Sequence, residues 1–219
     1  MPVTFIDLAQ SCAPAIQIET LAGVVSLESG FAPLAIRIDS GVPTRDPPSS
    51  KAEAIEIATT LIAQRQDVDL GLGGINASDL GRLGLTIADA FDPCLNLKAT
   101  ARLLDGYYKV AINAGVHPNR AAATMLHAYY GRGDASLGEM ASYDKQVREE
   151  ARRLGPQLAS LTIASTSIPA NRDASGRPAP EQSVASSPAA RREAKPASWD
   201  VFAPGRRSPA LVFQNNPSE

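Results

Sequence analysis

The stretch Pro14-Ala15-Ile16-Gln17-Ile18-Glu19-Thr20-Leu21-Ala22-Gly23-Val24-Val25-Ser26-Leu27-Glu28-Ser29-Gly30 sets the fold class. Ile18, Leu21 and Val25 recur at helical spacing, which predicts a helix from Pro14 to Leu27, ended by Ser29-Gly30. One carboxylate, Glu28, stands at the C-terminal end of this otherwise apolar run. There it faces the negative end of the helix dipole, and partial burial adds a desolvation cost. Both effects raise its pKa. A carboxylic acid that keeps its proton near neutral pH suits protonation of a leaving oxygen. A solvated glutamate at a helix end is the plainer reading of the same residues.

Working outward, the signals remain helical. Ser50-Lys51-Ala52-Glu53 is a capping-box pattern that opens a helix through about Gln66. Asn76 to Leu83 reads as a short helix stopped by Gly84. Asp92-Pro93 reads as an N-cap followed by proline at the first helical position, starting a helix to about Asn113. An alanine-rich helix opens at Pro118 or Asn119 and ends near Gly131 and Gly133. A strongly charged one spans about Leu137 to Leu154. No period-2 strand and no internal repeat is evident. The expected class is mainly α, or α+β with very little β.

Composition changes near Gly155-Pro156. The remaining residues carry nine of the 17 prolines, with much serine and alanine and few large aliphatics. Such a mixture buries too little apolar surface to offset its ordering entropy. The expected division is a folded domain at 1–155 and a disordered tail at 156–219. Trp199, Phe202 and Leu211-Val212-Phe213 are apolar islands in that tail, readable as docking segments or as stray hydrophobes.

The bulk numbers exclude several function classes. A formal net charge of −2 does not suggest electrostatic capture of nucleic acid or of an anionic membrane. No apolar run approaches the roughly 20 residues of a membrane span. Met1-Pro2-Val3-Thr4-Phe5-Ile6-Asp7-Leu8 lacks a basic n-region, so a standard secretory signal is not visible. Metal binding is not expected, because there is no Cys-x-x-Cys and no ligand cluster near His117 or His127. The two cysteines, Cys12 and Cys94, permit one disulfide or two free thiols.

Two further stretches are candidates for chemistry. Asp69-Leu70-Gly71-Leu72-Gly73-Gly74-Ile75-Asn76 is glycine-rich enough for backbone to approach a ligand closely. It lacks the Gly-Lys-Ser/Thr ending of a phosphate loop, which excludes that kind of nucleotide binding. Met125-Leu126-His127-Ala128-Tyr129-Tyr130-Gly131 places adjacent tyrosines near a helix end, where one phenol can face a cleft and the other ring can be core.

Taken in order, these motifs resemble those of the lysozyme-like lytic transglycosylases, most closely the VirB class associated with type IV secretion systems. The resemblance rests on Leu8-Ala9-Gln10-Ser11-Cys12-Ala13-Pro14, Leu27-Glu28-Ser29-Gly30-Phe31-Ala32-Pro33-Leu34-Ala35-Ile36, Leu83-Gly84-Leu85-Thr86 and Ala90-Phe91-Asp92-Pro93-Cys94-Leu95-Asn96-Leu97, and covers roughly residues 5–135. It implies a lysozyme-like helical domain with Glu28 as catalytic acid/base. Ser29 would hold that carboxyl or contact sugar, Gly74, Ile75 and Asn76 would line a saccharide groove, and Tyr129 would hydrogen-bond near Glu28. It also implies a Cys12–Cys94 disulfide and a periplasmic location, no cofactor and no metal. The implied partners are peptidoglycan strands and secretion-system components, the latter through the tail. One departure stands out: Gly74 occupies the position where the family usually has glutamine. Tyr130 likewise replaces a common asparagine.

A two-carboxylate glycosidase needs a second acid beside the first. Asp39 and Glu53 sit in stretches that read as loop and helix cap, and no second acid in a motif rivals Glu28. A single acid suits lytic transglycosylation with closure of a 1,6-anhydro ring. The rival expectations are a hydrolase of the same fold and a glycan-binding scaffold in which catalysis is vestigial.

Overall fold

In a computed structural model, the structure describes residues 3–38 and 47–164. The chain divides after Asn171, and the described residues all belong to the first unit, Met1–Asn171. The second unit, Arg172–Glu219, lies outside the described residues, as do Asp39 and the expected docking islands of the tail.

Local capping chemistry explains most helix starts. Thr4 caps α1 (Phe5–Cys12), its hydroxyl accepting the Asp7 amide. The Ser50 hydroxyl accepts the Glu53 amide at the start of α3 (Lys51–Ala63), while the Glu53 carboxylate reaches back to the Ser49 amide and hydroxyl. Asp92 accepts the Leu95 amide and Pro93 fills the first position of α6 (Pro93–Asn113), the range that the sequence predicts. α2 runs Ile18–Ser29, starting later than Pro14 because Ala13–Ile16 forms a turn instead, and Gly30 closes it at φ 58°. Two short helices, α4 (Leu80–Leu83) and α5 (Ile87–Ala90), follow a 3-10 turn, and α7 covers Pro118–Tyr130.

The charged helix expected from 137 to 154 is two helices. α8 (Ala135–Met140) and α9 (Tyr143–Leu154) are separated at Ser142, which takes φ 51°. Close packing accounts for the break. Gly138 lies so near α7 that an added Cβ would sit 2.3 Å from the His127 carbonyl oxygen. A straight continuation would carry α9 along that line, whereas the turn at Ser142 lets α9 pack on α2.

Strands exist but are very short. β1 (Val3–Thr4) pairs antiparallel with β5 (Thr162–Ile163). β2 (Ile36–Ile38), β3 (Val68–Leu70) and β4 (Ile75–Asn76) form an antiparallel sheet in that order. Packed structure therefore continues past residue 155, through a 3-10 turn at Gly155–Ser160 to Ile163, whose side chain is buried. Pairing with the amino-terminal strand supplies the backbone partners that local composition does not advertise.

Two apolar clusters hold the unit together. One packs Val24, Leu70, Ile75, Phe91, Leu104 and Tyr143 between α2, the small sheet, α6 and α9. The other gathers Phe5, Leu21, Val25, Leu72, Leu97 and Ile163. Each fully buried Leu or Phe contributes about 1.5–3 kcal/mol by apolar burial. Cys12 and Cys94 form a disulfide that ties α1 to α6 across 82 positions of sequence. Among the described residues, no helix is long and apolar enough to cross a membrane.

Candidate active site

The last turn of α2 delivers Glu28 to the wall of a groove of about 840 Å³. Its side chain is only 5% exposed, and both carboxylate oxygens have donors. The Tyr143 hydroxyl donates to Oε1 at 2.5 Å, and the Arg37 guanidinium donates to Oε2. Burial pushes the Glu28 pKa above the usual carboxylate range, and the Arg37 charge and the Tyr143 hydrogen bond offset part of that rise. Tyr143 is itself pushed up, first by burial and then by the neighbouring Glu28 charge, so it acts as a donor, not a base.

Sheet register builds the opposite side of the site. Arg37 pairs with Asp69, and Asp69 with Asn76, so these three polar residues lie in a row across β2, β3 and β4. Arg37 Nη2, which touches Glu28, also lies 3.4 Å from Asp69 Oδ2. A second carboxylate therefore stands beside Glu28, in the motif stretch where the sequence reading finds none. Because one nitrogen touches both acids, their nearest oxygens are closer than the two contacts laid end to end.

Asp69 is held firmly. Asn76 Nδ2 donates to Asp69 Oδ1 at 2.9 Å and to Asp67 Oδ1 at 2.6 Å. Arg132, between α7 and α8, donates to the same two acids at 3.1 and 2.5 Å. The Asn76 carbonyl oxygen accepts from Ser78, so this amide orders the sheet edge while its residue borders the groove.

The glycine-rich loop between β3 and β4 closes the floor. Asn96, buried on α6, accepts the Gly73 amide at 2.7 Å and donates to the Leu70 and Ala90 carbonyls. Gly73 rests against Thr100, and Gly74 borders the groove at φ 63° with Glu28 directly over it. Ser29 donates to the Leu72 carbonyl at 2.8 Å and to Val25, tying the helix end that carries Glu28 to this loop. Ile75 is fully buried in the core and supports the floor from beneath; its side chain does not line the groove. Tyr129 lines the groove near Glu28, but its hydroxyl donates to the Gly73 carbonyl at 2.6 Å, and the hydroxyl on Glu28 is that of Tyr143. Half-exposed Tyr130, with Leu137 and Met140, forms an apolar lip on the other rim.

This arrangement is a cleft with a buried acid that carries a phenol and a guanidinium on its two oxygens, a second carboxylate beside it, and an apolar rim. Comparison with known proteins agrees with that chemistry. The transglycosylase SLT domain family matches the chain over residues 8–152.

The chain belongs to the transglycosylase SLT domain family.

Proteins similar to it include the type IV secretion system protein virB1 of Brucella abortus, 43% identical over 110 residues, which are 50% of this chain and 46% of that protein. Protein virB1 of Agrobacterium fabrum is 30% identical over 154 residues, 70% of this chain and 62% of its own length. The chain thus spans between about half and two thirds of the curated relatives that it matches. No solved structure matches it significantly. Within the SLT domain, Glu28 and the glycine loop are singled out by sequence and lie together in the groove, whereas Arg37, Asp69 and Tyr143, which surround Glu28, are not singled out. For Asp69 a signal existed, since it heads the quoted glycine stretch. Arg37 shows only as a polar residue between Ile36 and Ile38, and Tyr143 has no local signal.

Proposed function

We propose that this SLT domain is a peptidoglycan lytic transglycosylase that cuts the β-1,4 bond between N-acetylmuramic acid and N-acetylglucosamine and releases a 1,6-anhydro product. The observation that carries this is the buried Glu28 at the groove wall, its pKa raised by burial and its position fixed by Tyr143. Protonated Glu28 gives its proton to the leaving glycosidic oxygen as the bond to C1 breaks. The substrate's own N-acetyl carbonyl assists at C1, and the C6 hydroxyl then closes the anhydro ring. Its proton goes to the Glu28 carboxylate, which the Tyr143 hydroxyl stabilises between the two steps. The acid is regenerated and no water is consumed.

The likeness to virB1 proteins supports local opening of the cell wall for a type IV secretion system as the setting, with the periplasm as the place of action. A role in substrate binding for Ser29, Gly74, Ile75, Asn76 and Tyr129 belongs to the same proposal: Gly74, Asn76 and Tyr129 border the groove, whereas Ser29 and Ile75 act through the loop that they hold.

Asp69 favours a second reading, in which water bound by that carboxylate attacks C1 and the enzyme is a hydrolase. Product chemistry separates the two. Wild-type protein acting on purified peptidoglycan is expected to release anhydro-muropeptides, and Glu28→Gln to release none. Reducing-end muramic acid, lost in Asp69→Asn, would establish hydrolysis instead. Binding of peptidoglycan with no release at all would leave a glycan-binding scaffold.

A further inference from the structure

Both Glu28 oxygens are covered in the free groove. An acid that protonates a glycosidic oxygen must present one oxygen, with its proton, to the substrate. Oε1 faces the buried Tyr143 hydroxyl, and Oε2 is held by Arg37. The guanidinium must therefore leave Oε2 before the acid can work. Arg37 is built to move outward: its side chain is 38% exposed, whereas those of Glu28 and Asp69 are 5% and 9% exposed. Both of its contacts run through Nη2, so among the described residues Nη1 and Nε have no protein partner. A guanidinium with unused donors at the edge of a groove is suited to bidentate capture of a carboxylate. Asp69 would keep one end of it anchored during that exchange.

Resting on the transglycosylase proposal, we infer that Arg37 is a specificity residue: it captures a carboxylate carried by the glycan, and in doing so it uncovers Glu28. Muramyl glycans carry such a group, either on the lactyl ether of stem-free strands or on the stem peptide. Polymers of N-acetylglucosamine carry none. The groove thus selects an anionic glycan by the same movement that arms its acid, and a neutral glycan leaves Arg37 on Glu28.

The test measures affinity by calorimetry and cleavage by product chromatography on the full chain. Four tetrasaccharide probes are used: stem-free muramyl–glucosaminyl, the same with stem peptides, its lactyl methyl ester, and chitotetraose. Wild type is expected to bind the carboxylate-bearing probes roughly tenfold more tightly than the ester or chitotetraose, the size of one charge-assisted contact. Arg37→Met is expected to lose that preference, and Arg37→Lys to keep part of it. Tight binding of the stem-free probe identifies the lactyl carboxylate as the group captured, and tight binding only with stems identifies the peptide. Equal affinity of wild type for the stem-free acid, its methyl ester, the stem-bearing probe and chitotetraose would overturn the inference, and that arm needs no variant. A uniform loss across all probes in Arg37→Met and Arg37→Lys would also overturn it. If wild type cleaves no probe, the transglycosylase reading fails, and the binding preference still decides the role of Arg37.

Discussion

Restoring the family's usual glutamine at position 74 tests the reasoning about the groove floor, because sequence and structure lead to opposite expectations. From sequence, Gly74→Gln supplies a missing substrate-facing amide and improves the enzyme. From the structure, it damages the site. Gly74 has φ 63°, where a residue with a Cβ is strained by about 1–2 kcal/mol. An added Cβ would lie 2.8 Å from Glu28 Oε2, 3.2 Å from its Cβ and 3.4 Å from its Cγ. The carboxyl tip can swing aside, but only by giving up Arg37, and the stem behind it is fixed in α2. Losing that partly exposed ion pair adds about 1 kcal/mol after allowance for solvent screening. The sum is about 2–3 kcal/mol, which for a domain of this size lowers Tm by roughly 5–10 °C. Gly74→Ala carries the same Cβ and should behave alike, which separates backbone strain from any effect of the amide. Thermal melts followed by circular dichroism measure the stability cost, and release of soluble muropeptides measures turnover. A Gly74→Gln protein that melts with wild type and cleaves faster would show that position 74 accepts a side chain without displacing Glu28.

Three further outcomes follow from named contacts. Glu28 keeps its proton to a higher pH when folded than at its ordinary value of 4.5, so the stability this gives is complete below that value and disappears as pH rises through the raised one. Glu28→Gln has no such loss, so its Tm relative to wild type should climb as pH rises above about 4.5 and level off once the raised Glu28 pKa is passed; a flat difference would show that burial does not hold the proton. Replacing Cys12 and Cys94 by serine removes a cross-link over 82 positions, worth about 4–5 kcal/mol by loop entropy, and chemical denaturation should show a loss of that order. His127 Nε2 lies 2.8 Å from Asp144 Oδ1, joining α7 to the residue that follows Tyr143. His127→Ala should cost about 1–3 kcal/mol and lower kcat by loosening that phenol; a stability loss with unchanged kcat would make the contact purely structural.

Elements were legible in sequence where a side chain marks their ends. Asp92 with Pro93, Ser50 with Glu53, and Gly30 all cap or close the helices that they announce. Strands of two or three residues are too short to show alternation, so the small sheet had no periodic signature. That sheet is what brings Arg37 and Asp69 together, and a pairing that depends on register cannot be read from either strand alone. Asp69 was visible as a residue but not as a neighbour of Glu28.

Tyr143 shows the limit more sharply. It is 115 positions from the acid that it serves, and its place depends on a helix break at Ser142, a residue that favours no left-handed turn by itself. Gly138 against His127 forces α8 close to α7, Ser142 then turns the chain, and α9 lays Tyr143 over Glu28 while His127 holds Asp144 beside it. The phenol is therefore specified by three packing events and by no motif. By contrast, Gly30 marks the end of α2, so local sequence places Glu28 at a helix end, although a solvated glutamate is the plainer reading of that position alone. Its burial and the donors on its two oxygens come from strands and helices distant in sequence, and so follow only from the packed chain.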